Sequence, residues 1–292
     1  MINPSFDICA PLQDFQWNGG CFEFAPGIWI RRAADVPDLQ GWITTLSEDE
    51  RNEIFFAEHW LIFSWTEAAE PSPAETVNLV LLSLWLVKAT KTHVAFRFKL
   101  GRPPGVSGTS RARLLDRFQW VRDTTEEVFD TADLQLASIY YRALFDLNCA
   151  RGRLNDALLL TLSGCVARRW QVALICLAAA AETLLTYDTG AGITRRLATT
   201  YACLVKTDVA RRNAAFTEFQ ELYAIRSDIV HGRGGNIAPA DRLPVLAAFA
   251  DMMRKLWRAA IQSDALLAAL EGTDEQRRRH FTEICSSYLP PR

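Results

Sequence analysis

The rhythm of hydrophobic and polar positions changes once along the chain. Up to about residue 100 a two-residue period keeps returning. Residues 20–32 alternate and break at Pro26-Gly27, which predicts two short strands joined by a turn. Residues 59–66 (His-Trp-Leu-Ile-Phe-Ser-Trp-Thr) and 93–100 (His-Val-Ala-Phe-Arg-Phe-Lys-Leu) read as further strands. Between them, Ser47-Glu-Asp-Glu50 has the spacing of a capping box, and Pro73-Ala-Glu-Thr76 starts a long apolar helix to about residue 90. From residue 133 onward strand signals vanish. Apolar residues recur at helical spacing in 134–150, 154–187, 194–205, 213–231, 239–263 and 274–288.

The pattern predicts an α+β N-terminal domain (1–110) followed by an all-α helical bundle (133–265). The Gly/Pro-rich stretch 101–110 marks the boundary, residues 111–132 supply a linker and connecting helix, and 266–292 form a C-terminal helix. At 292 residues and 49% hydrophobic, the chain has material for two cores. Fifteen Gly, 12 Pro and 23% charged residues exclude a disordered or collagen-like chain. The formal net charge of −2 means that no whole-molecule field draws the protein to nucleic acid or to an anionic membrane, so any such contact is local. Residues 1–100 hold 7 basic and 13 acidic side chains against 25 and 21 in the remainder, as expected of two regions with different tasks.

The N-terminus lacks a basic segment followed by an apolar one, so no secretory signal is expected and the location should be cytoplasmic. The longest apolar stretches, 77–87 and 170–181, fall short of the roughly 20 residues that a membrane span needs. They read as buried helices, without membrane contact. Seven cysteines form no C-x-x-C pair, and His59 and His93 have no metal-ligand spacing, so reduced structural thiols and no metal or cofactor are expected.

The segment 219–235 (Phe-Gln-Glu-Leu-Tyr-Ala-Ile-Arg-Ser-Asp-Ile-Val-His-Gly-Arg-Gly-Gly) combines an apolar helix face with Arg226, His231 and a glycine where the helix should end. His231 would sit beside carbonyl ends that favour its cationic form. On an ideal helix Arg226 and His231 diverge by about 140°, so the long Arg side chain or unwinding at Gly232 must bring them to one site. Glu182 stands in an apolar stretch, residues 178–185, and needs a partner there, either to hold the bundle or to orient Arg226.

Arg226, four residues, His231 and then Gly232, together with the earlier helix 174–185 in which Glu182 precedes a Leu-rich turn, resemble the HEPN family in its ApeA-like branch. The resemblance covers residues 133–265. Many active members carry Asn, Asp or His directly after the Arg, whereas this chain has Ser227 and then Asp228. The resemblance implies a HEPN-type bundle that forms a homodimer and cleaves RNA without metal, in antiphage defence or a stress response. Arg226 and His231 would be catalytic, with Ser227, Asp228, Tyr223, Glu182 and Arg233 supporting them. The chemistry suits the residue types: RNA brings its own 2′-hydroxyl nucleophile, so His231 need only move a proton while Arg226 neutralises charge on the phosphate. A catalytically silent dimer binding RNA or protein, and a sensor whose helical half only dimerises, remain as alternatives; the trigger of the N-terminal domain is open.

Other motifs carry less. Asp188-Thr-Gly-Ala191 resembles the aspartic protease string but follows a helix, and Gly190 and Gly192 serve better as helix terminator and linker. Arg277-Arg-Arg279-His280 follows a capping-box start and reads as a solvated helix face, or alternatively as a phosphate-contacting patch. Arg102, Arg111 and Arg113 suit either loop solubility or RNA backbone contact.

Overall fold

A computed structural model describes residues 5–36, 47–66, 70–101, 110–113, 128–150, 152–187, 192–206, 208–233, 237–288 and 290. The chain divides into two compact units, Met1–Cys149 and Ala150–Arg292. The division falls about 40 residues later than the Gly/Pro stretch suggested.

In the first unit, β3 (Cys21–Ala25), β4 (Ile28–Arg32), β5 (His59–Thr66), β1 (Ser5–Leu12), β6 (Phe96–Gly101) and β7 (Ser110–Arg113) lie side by side in that order, all antiparallel. The predicted hairpin is β3–β4, and residues 59–66 form β5 as expected. β1 was not legible, because Pro11 interrupts its pattern. The strand tolerates that proline beyond Phe6–Cys9, the stretch it pairs with β6, while its other edge follows β5 from Ser5↔Thr66 to Leu12↔His59. The strand β7 corrects the reading of 101–110 as an interdomain boundary: the chain returns to pair Phe96 with Arg113 and Lys99 with Ser110, so 102–109 connects two neighbouring strands. Arg102 lies outside the described residues, as does most of the expected connecting helix, 114–127. A separate two-stranded parallel pair joins β2 (Gln16–Trp17) to β8 (Val128–Phe129).

Helix α1 (Glu48–Phe55) starts at the predicted Ser47 signal. Helix α2 (Pro73–Val87) opens with a complete Ser72/Glu75 capping box and buries Val77, Leu79, Val80, Leu81, Leu82, Leu84, Trp85 and Leu86, so its apolar run is core on nearly every side. Helix α3 (Thr131–Cys149) corrects a second expectation. Instead of opening the bundle it packs on α2 and β3, with Phe24 edge-on to Tyr141 at 5.7 Å.

The second unit is all helical: α4 (Arg153–Val166), α5 (Trp170–Leu185), α6 (Ile193–Val205), α7 (Val209–Val230), α8 (Pro239–Ile261), α9 (Asp264–Glu271) and α10 (Asp274–Cys285). The apolar run 154–187 is two helices, not one, broken at residues 167–169, and the expected C-terminal helix is likewise the pair α9 and α10. Helices α4 and α5 lie close because Gly164 has no side chain: a Cβ there would stand 2.7 Å from Leu177 Cγ. Arg153 covers the C-terminal end of α5, donating to the carbonyls of Thr183 and Thr186. Trp257 Nε1 donates to Thr161 Oγ1 at 2.9 Å, joining α8 to α4 inside the core. Among the described residues no helix is long and apolar enough to cross a membrane.

Candidate functional site

Asp208 caps the start of α7, accepting from the Arg211 amide at 2.9 Å, and the helix then runs unbroken to Val230. Its far end closes as a Schellman motif. The Gly232 amide donates to the Ile229 carbonyl at 3.1 Å and the Arg233 amide to the Asp228 carbonyl at 2.7 Å, while Gly232 takes φ +76°. Gly232 therefore sits in the left-handed conformation that its place after His231 predicted. His231, at φ −86° and ψ 14°, is the last residue before the turn, its amide donating to the Ser227 carbonyl at 3.0 Å.

Three of the expected residues meet. Glu182 Oε1, on α5, accepts from Tyr223 Oη at 2.7 Å and from Arg226 Nη2 at 2.8 Å, both on α7. The Arg226 guanidinium lies 5.3 Å from the Tyr223 ring centre, and Tyr223 stacks on Phe219, which contacts Tyr201 of α6. An aromatic ladder thus runs from inside the bundle to the ion pair. Burial first, and then its hydrogen bond to Glu182, push the Tyr223 hydroxyl well above the ordinary phenol range. The Glu182 and Arg226 side chains are 28% and 26% exposed. This qualifies the expectation of a buried glutamate: the carboxylate is paired as required, yet open to solvent on one side.

The other residues are arranged differently. Asp228 accepts from Arg233 Nε at 2.9 Å across the turn, so Asp228 and Arg233 brace the end of the helix and leave Arg226 to Glu182. Ser227 is half-buried and joins the motif through its carbonyl. His231 is exposed, and among the described residues no hydrogen bond or ion pair joins its ring to Arg226 or to any other group. The helix does not unwind before His231, so within one chain the two candidate catalytic residues are held separately: Arg226 against α5, His231 at the tip.

Comparison with protein-family models, curated proteins and solved structures finds no match to this chain. The site therefore has to be argued from its own geometry.

The remaining candidates resolve individually. Arg277 is buried, not part of a solvated face: it donates to the carbonyls of Leu270 and Gly272, tying the end of α9 to α10, whereas Arg278 and Arg279 are exposed. Asp188–Ala191 lies outside the described residues, as do the side chains of Arg111 and Arg113. His59 is buried edge-on to Phe15, with Nε2 3.0 Å from the Gly19 carbonyl. Among the described residues no group of three or more His, Cys, Asp or Glu is placed to hold a metal ion. One feature escaped the sequence. In the first unit a cavity of ≈ 530 Å³ is rimmed by Asp14, Trp17, Phe56, Glu58, His93 and Val128, which come from four separate segments and share no motif.

Proposed function

We propose that the helical unit is a HEPN-like module that binds RNA and cleaves it, with Arg226 neutralising charge on the attacked phosphate, His231 moving the proton and the RNA 2′-hydroxyl as nucleophile. The observation that carries this reading is the division of labour on α7. Arg226 is oriented by Glu182 and Tyr223 at a solvent-open position, while five residues on an imidazole with no partner among the described residues is presented at the helix tip. Because one chain holds the two apart, the reading requires a homodimer in which each Arg226 works with the partner's His231. An exposed apolar stripe supports such a face: Val172 (47% exposed) and Ile175 (37% exposed) continue at helical spacing through Ala179 to Glu182. By the same resemblance the activity would serve antiphage defence or a stress response.

A second reading rests on the same contact. The Arg226–Glu182 pair is also what a bundle clasp needs, and a catalytically silent RNA- or protein-binding dimer would keep it. The deciding experiment is incubation of the purified protein with mixed RNAs in excess EDTA. Cleavage leaving 2′,3′-cyclic phosphate and 5′-hydroxyl ends, with DNA untouched, is the expected result. His231→Ala should lower the rate roughly 10²–10⁴-fold without loss of fold, and Arg226→Lys should be impaired because it loses the planar fork. Ends bearing 5′-phosphate, or full activity in His231→Ala, would place the chemistry elsewhere; a protein that sediments as a monomer with RNA bound would remove the shared site.

A further inference from the structure

The cavity of the first unit takes no part in the Arg226 site, and its walls carry a chemistry of their own. The lining segment 13–18 is pinned by three sets of contacts. Gln13 and His93 exchange backbone hydrogen bonds at 2.9 and 3.1 Å, Thr92 Oγ1 donates to the Asp14 carbonyl at 3.3 Å, and Gln16 and Trp17 pair with Val128 and Phe129. Phe15 stacks on Phe129 with ring centres 5.4 Å apart, and Gly19 leaves room for the Trp17 ring, which a Cβ there would strike. These walls are formed before any ligand arrives, and ≈ 530 Å³ lies within the size of small-molecule sites.

The lining combines aromatic faces with hydrogen-bond acceptors. Phe15, Trp17 and Phe56 supply the aromatic surface, and Phe56 is 82% exposed, a ring left to water at the rim. The ionisable groups are Asp14, Glu58 and His93. Asp14 is exposed, with Oδ2 3.4 Å from His93 Nδ1, and the exposed Glu58 carboxylate has no partner among the described residues. His93 Nδ1 also stands 3.1 Å from the Lys91 carbonyl, which can only accept, so Nδ1 carries the proton and the neutral ring keeps Nε2 as an acceptor. The neighbouring cations are engaged elsewhere: Arg32 donates to the carbonyls of Asn18 and Gly19, and Lys88 donates to the Val128 carbonyl and pairs with Asp133. An organic cation finds here carboxylates for its N–H groups and ring faces for its charge and its apolar part. An anion would meet two carboxylates.

We propose that this cavity binds a small arylalkylamine in its ammonium form, the charged end held by Asp14 and Glu58 and the aromatic body against Trp17 and Phe56. Phe15 and Trp17 are buried, so only a body that enters the cavity reaches them. The occupant is therefore a free molecule and not a chain passing over the rim. The binding is independent of RNA cleavage by the helical unit.

The test is ligand-observed NMR on the full chain at pH 7, probed with 2-phenylethylamine, its uncharged counterpart 2-phenylethanol and the anion 3-phenylpropionate. The amine should bind saturably, the alcohol roughly tenfold more weakly, and the anion not at all. Glu58→Gln and Asp14→Asn should each weaken the amine by roughly three- to tenfold and leave the alcohol unchanged. Neither variant threatens the fold: Glu58 is exposed, and Asn tolerates the left-handed φ of 54° that residue 14 adopts. Phe56→Ala should weaken amine and alcohol alike. Equal affinity for amine and alcohol, tighter binding of the anion, or no saturation by the amine up to about 10 mM would overturn the proposal. So would unchanged amine affinity in both carboxylate variants, or tighter binding of N-acetyl-lysine amide than of the amine, which would make the occupant a protein side chain.

Discussion

Oε1 of Glu182 accepts from both Tyr223 and Arg226, so removing the carboxylate strands two donors while removing either donor strands less. Glu182→Ala should cost about 1–3 kcal/mol and Tyr223→Phe about 0.5–1.5 kcal/mol, measured by urea melts of the two variants; equal losses would mean that the ion pair contributes nothing. The Tyr223 hydroxyl adds a pH dependence with a definite sign. Its folded value lies above the ordinary 10.0, so the unfolded chain ionises first as pH rises. The contribution is complete below about pH 10 and is lost at more alkaline pH. Wild-type melting temperature should fall between pH 9 and pH 11 more steeply than that of Tyr223→Phe. At this scale Arg226, His231 and Gly232 were legible because their meaning is local: a cation, a titratable ring and a helix end. Arg226 choosing Glu182 over Asp228 was not, since both carboxylates were in reach on paper and only the packing of α5 against α7 separates them.

At the scale of elements, two glycines test two different constraints. A Cβ on Gly232 meets nothing within 4 Å, so Gly232→Ala suffers only from its left-handed backbone, about 1–2 kcal/mol. A Cβ on Gly164 meets Leu177 at 2.7 Å and the Ala173 carbonyl at 3.1 Å, so Gly164→Ala forces α4 from α5 and should cost about 1–3 kcal/mol by overpacking. Denaturant midpoints report both losses, and Gly232→Asn should recover part of the first because Asn tolerates that conformation. The starts of α2 and α10 were readable because they are signalled within one turn, by Pro73 and by the capping-box spacing before Arg277, and the structure places the caps at Ser72 and Thr273. The break between α4 and α5 was not readable: apolar periodicity continues on both sides of it, and Arg169 before α5 makes no side-chain cap.

At the scale of the whole molecule, each unit has a core of its own, around Trp60, Phe96 and Phe98 in the first and around Leu177, Phe249 and Trp257 in the second. A fragment comprising residues 150–292 should therefore give a helical far-ultraviolet circular dichroism spectrum and a single cooperative melt; a fragment starting at 133 should gain nothing, because α3 packs on α2 and β3. A noncooperative melt of 150–292 would mean that the helical unit depends on the first. The sequence alone determined that strands precede helices, that the apolar runs 77–87 and 170–181 are core, and that a histidine stands at the end of a long helix. These follow from period, caps and side-chain chemistry, which act over a few residues. Only the tertiary structure decided that α3 belongs with the sheet, that β7 returns to it and that Glu182 faces Arg226. Each of those is a pairing between segments distant in the chain, chosen by which apolar faces bury one another, and no local pattern carries that choice.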